Sequence, residues 1–274
     1  MAGSRTSVRT PGKSDPIDAL AVARVAIREP DLPVASHDQQ SRELKLLVDF
    51  RDGLVARRTE IINRMRWRLH ELDPELAVPE RALRSLANID QLIRRVAHPT
   101  RLAAARTAGM KLLLALTREE LAEIRTLTKR IDDLQRELAE RVRRLGPNLL
   151  TVPGCGVLSA AKILAETAGA QRFRSADCYA AHAGVAPIPA SSGQRTRHRL
   201  ARGGNRQLNA AFHRIAITQT RLQGPGREYY QRRRAGGDTT MEAIRVLKRK
   251  IARRVYGILR QADTSNTTVS QAAA

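Results

Sequence analysis

The feature that most restricts the fold of this chain is a long apolar stripe near its middle. Seven aliphatic residues follow one another in alternating steps of three and four positions, with charged residues between them: Ile124, Leu127, Ile131, Leu134, Leu138, Val142 and Leu145. That spacing places all seven side chains on one face of a helix several turns long. A helix of this kind must bury its stripe against another element.

A second long helix is predicted upstream, because apolar residues recur at helical spacing from residue 36 to about residue 69. Its stripe consists of Leu47, Leu54 and Ile61, widened by Leu46, Phe50, Ile62 and Met65. Two arrangements would cover both stripes: an antiparallel hairpin within the chain, or a dimerising coiled coil between two copies. The sequence leaves both open.

The remaining segments also show helical patterns, separated by proline and glycine, so the predicted fold class is mainly α. Helices are expected from Asp15 to about Pro30, less regularly over 79–116, from Asn205 to Thr220 and from Thr240 to Arg260. The predicted divisions are an N-terminal segment 1–33, a helical coiled-coil region 34–146, a C-terminal domain 147–262 and a disordered tail 263–274.

The charge of the chain predicts a polyanionic partner. Lys and Arg number 49 against 27 Asp and Glu, which gives a formal net charge of +22, and most of the basic residues are arginine. The guanidinium group matches phosphate geometry, so nucleic acid is favoured over a membrane surface. Only 3% of the residues are aromatic, which argues against binding single strands by base stacking. No apolar run is long enough to cross a membrane, and we expect a soluble, cytoplasmic protein.

Asp15 and Asp18 lie three positions apart at the start of the first predicted helix, with Pro16 between them. Two carboxylates on one helix face are often half of a divalent-metal site. The same residues also suit a helix cap, with Asp15 as N-cap, Pro16 at the first helical position and Asp18 two residues later. The two interpretations are compatible.

The run Pro153-Gly154-Cys155-Gly156 precedes a predicted helix and has the form of a helix-hairpin-helix turn. Glycines at Gly154 and Gly156 would allow the backbone to approach a phosphate, and the N–H groups at the start of the helix would bind that anion. A plain turn between two helices is the alternative.

A candidate nucleophile lies further along the chain, where Ser191-Ser192-Gly193 comes directly before a cluster of arginines. A serine that attacks a phosphodiester needs fixed cations around the developing negative charge. An ordinary polar loop whose arginines only hold phosphate is the alternative, and His182 and His198 are given no role. The predicted nucleic-acid contacts after the serines are Arg195, Arg197, Arg199, Arg202, Asn205 and Arg206.

Four sequence blocks occur in the order seen in transposases of the IS110/IS116/IS902 insertion-sequence family, which the chain resembles over nearly its whole length. They are Gly12-Lys13-Ser14-Asp15-Pro16-Ile17-Asp18-Ala19, the block from Leu149 to Glu166, the segment Ala183-Gly184-Val185-Ala186-Pro187 leading to Ser191-Ser192-Gly193, and Arg202-Gly203-Gly204-Asn205-Arg206-Gln207-Leu208. Each block is weak alone, and together they make a strong case.

The resemblance implies an N-terminal RuvC-like domain of the RNase H type with four acidic Mg²⁺ ligands, a coiled coil, and a C-terminal domain with a nucleophilic serine. Asp15 and Asp18 match the last two acids. Ser192, with Ser191 as the alternative, matches the serine taken to link covalently to DNA. Arg202 stands where the family usually has lysine. DNA, a second subunit and, in some members, a structured guide RNA are the implied partners.

The chain departs from the family pattern at its start, where only fourteen residues precede Asp15 and none of them is acidic. The family places its first two acids well upstream of this pair. We therefore expect an N-terminally truncated transposase that keeps only a remnant of the RNase H-like domain and whose strand exchange is impaired or lost. The alternatives are a non-catalytic nucleic-acid-binding protein and a coiled-coil scaffold.

Overall fold

The computed structural model describes residues 15–30, 38–76, 78, 82–98, 107–186, 188–189, 198–199 and 203–272. As predicted, the fold is mainly α. In chain order the helices are α1 (Asp15–Arg28), α2 (Gln39–Leu72), α3 (Leu86–Val96), α4 (Ala108–Leu145), α5 (Val157–Thr167), α6 (Ala176–His182), α7 (Arg206–Arg221), α8 (Pro225–Ala235) and α9 (Thr240–Ala272), with 3-10 turns at Ala82–Arg84 and Pro147–Thr151 and short strands β1 (Ile188–Pro189) and β2 (His198–Arg199).

The chain divides into two compact units, one formed by Glu43–Leu145 and the other by Met1–Arg42 with Gly146–Ala274. In the first unit, α2 and α4 run antiparallel, and ion pairs connect Glu43 to Arg141, Arg57 to Glu123 and Arg68 to Glu120. The stripe from Ile124 to Val142 is buried within the chain. Of the two arrangements that the sequence left open, the structure shows the intrachain hairpin.

The buried face of α2 matches the predicted stripe at Ile61, Ile62 and Met65, which are buried, but differs from it upstream. Leu46 and Phe50 were expected inside, but they are 64% and 53% exposed, because the contact face there follows a neighbouring row of residues. That row includes two arginines, Arg51 and Arg58. Because charged residues interrupt the row, the sequence pattern did not indicate it as a buried face. Arg58 lies against α4 and donates a hydrogen bond to the buried Thr128 hydroxyl at 3.2 Å. The buried members of the row are Leu44, Val48, Ile62, Met65 and Leu69.

Helix α3 completes the core of the hairpin unit by packing against α4. Its residues Ile89, Leu92 and Val96 are buried in one cluster with the apolar ends of α2 and α4. An ion pair between Asp90 and Arg125 lies at the edge of this contact. The strong amphipathic pattern of α3 explains why a short helix keeps its place there.

In the second unit, α5, α6, α7 and α9 enclose a core that contains Tyr179 and Phe212, both fully buried. Phe173 and Tyr256 pack on Tyr179 from two sides, with ring centroids 5.2 and 5.6 Å away. Half of the eight aromatic residues of the chain therefore lie in this cluster and not on a surface for stacking bases.

Two features of this unit differ from the sequence prediction. Helix α8 was not foreseen, because its sequence carries no buried side chain and shows no apolar stripe. Helix α9 continues to Ala272, so the backbone of residues 263–272 is helical where a disordered tail was predicted. No helix in the part of the chain that the structure describes is long and apolar enough to cross a membrane.

Candidate functional site

The turn before α5 contains the two predicted glycines, Gly154 and Gly156. Gly154 packs closely against another helix, whereas Gly156 lies in open space. Gly154 has φ +78°, and a Cβ there would lie 3.0 Å from Thr218 Cβ and 3.1 Å from the Ile215 carbonyl oxygen on α7. Gln219, also on α7, donates a hydrogen bond from Nε2 to the Pro153 carbonyl at 2.7 Å. Gly154 is therefore needed for the close packing of this turn on α7.

Gly156 occupies the N-cap of α5 with extended backbone (φ −79°, ψ 172°). It is exposed, and a Cβ built on it meets no atom within 4 Å. The first N–H groups of α5 have no acceptor within the helix, and they begin at this open position. An anion can approach the helix at Gly156, so this residue fits the predicted phosphate contact better than Gly154 does.

Residues 183–204, which connect α6 to α7 and carry Ser191 and Ser192, are called the serine segment, and two short strands lie within them. β1 and β2 are antiparallel, with Ile188 opposite Arg199 and Pro189 opposite His198. The backbone of Arg199 thus lies on β2. Residues 190–197 connect the two strands. Ser191, Ser192, Arg195, Arg197 and Arg202 lie outside the described residues.

A second set of contacts joins the residues where the segment leaves α6 to the residues where it enters α7. The backbone N–H of Asn205 donates to the His182 carbonyl at 2.7 Å. A Cβ on Gly204 would lie only 2.3 Å from the backbone of Gly184, so the chain can pass there only with glycine. The segment that carries both serines therefore leaves α6 and enters α7 at neighbouring points.

Asn205, predicted to bind nucleic acid, has its side chain engaged as the N-cap of α7. Its Oδ1 accepts hydrogen bonds from the backbone N–H groups of Gln207 and Leu208 at 2.9 and 3.0 Å. Its Nδ2 donates to Glu166 Oε2 on α5 at 2.6 Å. Arg206, the first residue of α7, is exposed and remains available to a ligand.

A buried lysine on α5 makes a second link to the start of α7. Lys162 is only 4% exposed, and its Nζ donates to Gln207 Oε1 at 2.7 Å. Lys162 and Glu166 are the two charged residues in the otherwise uncharged sequence of α5. Sequence reasoning missed both, although charges one helical turn apart on a buried helix are the signal that could have found them.

A third buried polar group supports the other side of the segment. Lys248 on α9 donates to Asn209 Oδ1 at 2.6 Å, and Asn209 Nδ2 donates to the Gly184 carbonyl at 2.7 Å. Burial, together with the nearby charge of Arg245, lowers the pKa of Lys248 to about 8. Neither Lys248 nor Asn209 was a candidate in the sequence.

His182 lies at the end of α6, next to the start of the segment. Its ring is 5.1 Å from the Phe173 ring, and Nε2 is 3.2 Å from a guanidinium nitrogen of Arg172. Burial and the charge of Arg172 lower the pKa of His182, and contacts with Glu166 oppose that shift. The neutral form is favoured, in keeping with a packing role.

Several basic side chains of α8 and α9 are exposed. Arg232, Arg233 and Arg234 are exposed at the end of α8, where Arg233 forms an ion pair with Asp238. On α9, Arg249 and Arg253 both hydrogen bond to Asp177, and these bonds lower the pKa of that carboxyl group. One carboxylate between two guanidinium groups leaves this surface positive, which suits a phosphate backbone.

The aspartate pair lies in the first turn of α1, as predicted, although the helix begins at Asp15 itself. Asp15 is exposed and Asp18 is half-buried. Within the described ranges, no group of three or more His, Cys, Asp or Glu side chains could hold a metal ion. Two carboxylates leave most of the six positions around Mg²⁺ to other ligands, so the described residues do not form a magnesium site.

Comparisons with known proteins agree with the blocks found in the sequence. The model of the transposase IS116/IS110/IS902 family matches residues 146–231, and a second transposase model, of the IS110 DEDD group, matches residues 1–74. The insertion element IS110 uncharacterized 43.6 kDa protein of Streptomyces coelicolor is 30% identical over 298 residues, covering 90% of this chain and 71% of that protein.

Two further relatives cover most of the chain. The insertion element IS116 uncharacterized 44.8 kDa protein of Streptomyces clavuligerus is 28% identical, covering 91% of this chain and 71% of that protein. The insertion element IS900 uncharacterized 42 kDa protein of Mycobacterium paratuberculosis is 29% identical, covering 98% of this chain and 76% of that protein. The similarity therefore includes both structural units.

Proposed function

Because this chain belongs to the IS116/IS110/IS902 family of insertion-element transposases, we propose that it binds duplex DNA through its second unit and that Ser192 attacks a DNA phosphodiester. Ser191 is the alternative nucleophile.

The observation that carries the proposal is the way both sides of the serine segment are fixed. β1 pairs with β2, Gly184 passes against Gly204, and Asn205 binds the His182 carbonyl. A nucleophile must be held in register with its target to react, and paired chain ends are a means of holding it. The exposed Arg206 and the open N-terminus of α5 at Gly156 lie on the elements next to that segment.

The proposed reaction exchanges one phosphate ester for another. The serine Oγ forms a bond to phosphorus, the bond from phosphorus to one deoxyribose oxygen breaks, and that oxygen leaves with a proton. The serine hydroxyl proton passes to a base or to water. Arg195, Arg197, Arg199 and Arg202 would neutralise the negative charge that develops on the phosphate oxygens. Rejoining reverses these steps with a different DNA end.

Transposases of the DEDD group generally use a divalent metal. Asp15 and Asp18 are the ligands that the resemblance assigns, and we expect them to bind Mg²⁺ weakly without further acids. The proposed reaction assigns no step to the metal, since the described residues do not complete its site. Titration of the chain with Mn²⁺, compared with Asp15→Asn, measures this affinity directly.

The test of the nucleophile is a covalent protein–DNA adduct. Purified chain is incubated with duplex DNA carrying its element ends and a labelled strand, and the mixture is denatured before electrophoresis. Activity through Ser192 predicts a labelled protein band that Ser192→Ala abolishes and Ser191→Ala retains. Loss with Ser191→Ala alone would transfer the role to Ser191, and an adduct that survives both changes would reject a serine nucleophile.

A non-catalytic DNA-binding protein is the second candidate, supported by the exposed basic side chains of α8 and α9 and by the incomplete metal ligand set among the described residues. It predicts DNA binding without an adduct under any metal condition. The family resemblance also extends the proposal to a guide RNA and a second copy of the chain. Sequencing of co-purified RNA and light scattering of the free and DNA-bound protein test these partners.

A further inference from the structure

We propose that Glu166 is a positioning residue, which acts through Asn205 to fix the direction in which the serine segment enters α7. The inference rests on the proposed function, because it concerns how that segment is presented to DNA. Glu166 lies on α5 and is not adjacent in sequence to either Ser191 or Ser192. The hydrogen bonds that connect α5 to α7, from Asn205 to Glu166 and from Lys162 to Gln207, would then serve the function of the serine segment as well as the packing of the two helices.

The contacts of Asn205 define its amide orientation. Oδ1 accepts from two backbone N–H groups of α7, and Nδ2 donates to Glu166 at 2.6 Å. If the amide turned over, its NH₂ group would face those N–H donors, and its oxygen would face the carboxylate. Glu166 accepts hydrogen bonds but, when ionised, cannot donate one. The carboxylate therefore selects the orientation that caps α7.

The backbone of Asn205 also contacts the residue that precedes the serine segment, so fixing Asn205 restrains the segment. Its N–H group binds the carbonyl of His182, the last residue of α6, at 2.7 Å. The residue before it, Gly204, lies directly against the backbone of Gly184. One residue thus joins the start of α7, the end of α6 and, through Glu166, the last turn of α5. All three meet where the serine segment begins and ends.

Helix α5 also connects this point to the other predicted DNA contact. The helix follows its N-cap Gly156, where an anion can approach, and it carries Glu166 in its last turn. A hydrogen bond to a charged group is stronger than a neutral one, so the link from Glu166 to Asn205 is well suited to hold the two helices together. A phosphate at the first end of α5 and Asn205 near the other end would therefore be connected through one helix.

The test compares Glu166→Ala, Glu166→Gln and the control Glu228→Ala. Glu228 is an exposed acid on α8, so its removal changes the net charge equally. Amide hydrogen exchange of residues 183–204, duplex-DNA affinity and the rate of adduct formation are measured for each. We expect Glu166→Ala to speed exchange in residues 183–204 by about tenfold while the core of α9 stays protected.

In the same variant, DNA affinity should remain within about threefold of the original, and the adduct rate should fall by about tenfold or more. Glu166→Gln keeps an acceptor oxygen but loses the charge and adds a donor, so it should restore only part of both effects, whereas Glu228→Ala should show neither. If Glu166→Ala does not fold, Glu166→Asp replaces it, since it keeps the charge and withdraws the carboxylate from Asn205.

Unchanged exchange in residues 183–204 would overturn the inference, and so would an adduct rate that falls equally in Glu228→Ala. Faster exchange with an unchanged adduct rate would also overturn it, because the segment would then be loosened without consequence for the serine. If the unaltered chain forms no adduct, the proposed chemistry fails, while hydrogen exchange still decides whether Glu166 holds the segment.

Discussion

At the scale of single residues, the two glycines before α5 can be separated by experiment. Gly154→Ala places a Cβ at positive φ and within 3.1 Å of the Ile215 carbonyl, which belongs to a helix backbone that cannot easily move. We expect a loss of about 1 to 3 kcal/mol in the free energy of unfolding, measured by urea denaturation.

Gly156→Ala is the matched control, because its φ is negative and the space around it is open. Its stability should change by less than about 0.5 kcal/mol. If the two substitutions destabilised the chain equally, the turn would not pack on α7 as described.

Lys248 predicts a pH dependence of stability with a defined sign. Its pKa is about 8 in the folded protein against 10.5 in the unfolded chain, so between these values the unfolded state holds more protons. Stability should therefore rise with pH across this window. Burial raises the pKa of Cys155 to about 11, which acts in the opposite direction above pH 9. The contribution of Lys248 is best isolated below that pH.

The measurement compares the free energy of unfolding of the original chain and Lys248→Met at pH 7.5 and pH 9. The original chain should gain about 1 kcal/mol relative to the variant over this interval. A difference that does not change with pH, or that moves the other way, would show that the lysine is not buried as a charged group at neutral pH.

At the scale of elements, the α2–α4 hairpin predicts where truncation of a side chain is costly. Leu138 is fully buried in the stripe, so Leu138→Ala should cost about 2 to 5 kcal/mol in unfolding free energy. Leu112 lies on the same helix but is 61% exposed, and Leu112→Ala should be close to neutral. Denaturant titration of both variants checks the prediction, and similar losses would contradict the buried face described for α4.

The stripe of α4 could be predicted from sequence because aliphatic residues recur along it at helical spacing, although Thr117 and Thr128 are buried with them. The matching face of α2 could be predicted at Ile61, Ile62 and Met65 but not upstream of them, because Arg51 and Arg58 occupy two of its positions and moved the apparent stripe onto Leu46 and Phe50. Hairpin and dimer also bury the same residues, so periodicity alone could not choose between them. The long-range contacts of the folded chain, which are the ion pairs and the hydrogen bond from Arg58 to Thr128, identify the partner helix.

The candidate site shows the same limit. The start of α7 was predicted at Asn205, and the residue caps that helix. Its second partner, Glu166, is 39 positions away, and no local pattern connects the two. The links from Lys162 to Gln207 and from Lys248 to Asn209 span 45 and 39 positions of the sequence. Local rules find caps and turns, whereas contacts between helices depend on the whole fold.

At the scale of the whole molecule, the charge of +22 would draw the chain to any polyanion. The proposed DNA contact is more specific, because it places DNA phosphates at the arginines of the serine segment and the start of α7. A variant with Arg195, Arg197, Arg199, Arg202 and Arg206 changed to glutamine tests it. The control carries five exposed arginines of the hairpin unit changed in the same way: Arg94, Arg95, Arg118, Arg130 and Arg143.

Both variants carry the same net charge, so the salt dependence of duplex-DNA affinity separates local contact from general attraction. The slope of log K against log salt decreases in size by about 0.9 for each DNA phosphate that the protein no longer neutralises. We predict a clearly shallower slope for the first variant and an unchanged slope for the control. Equal slopes in the two variants would contradict the proposed DNA contact.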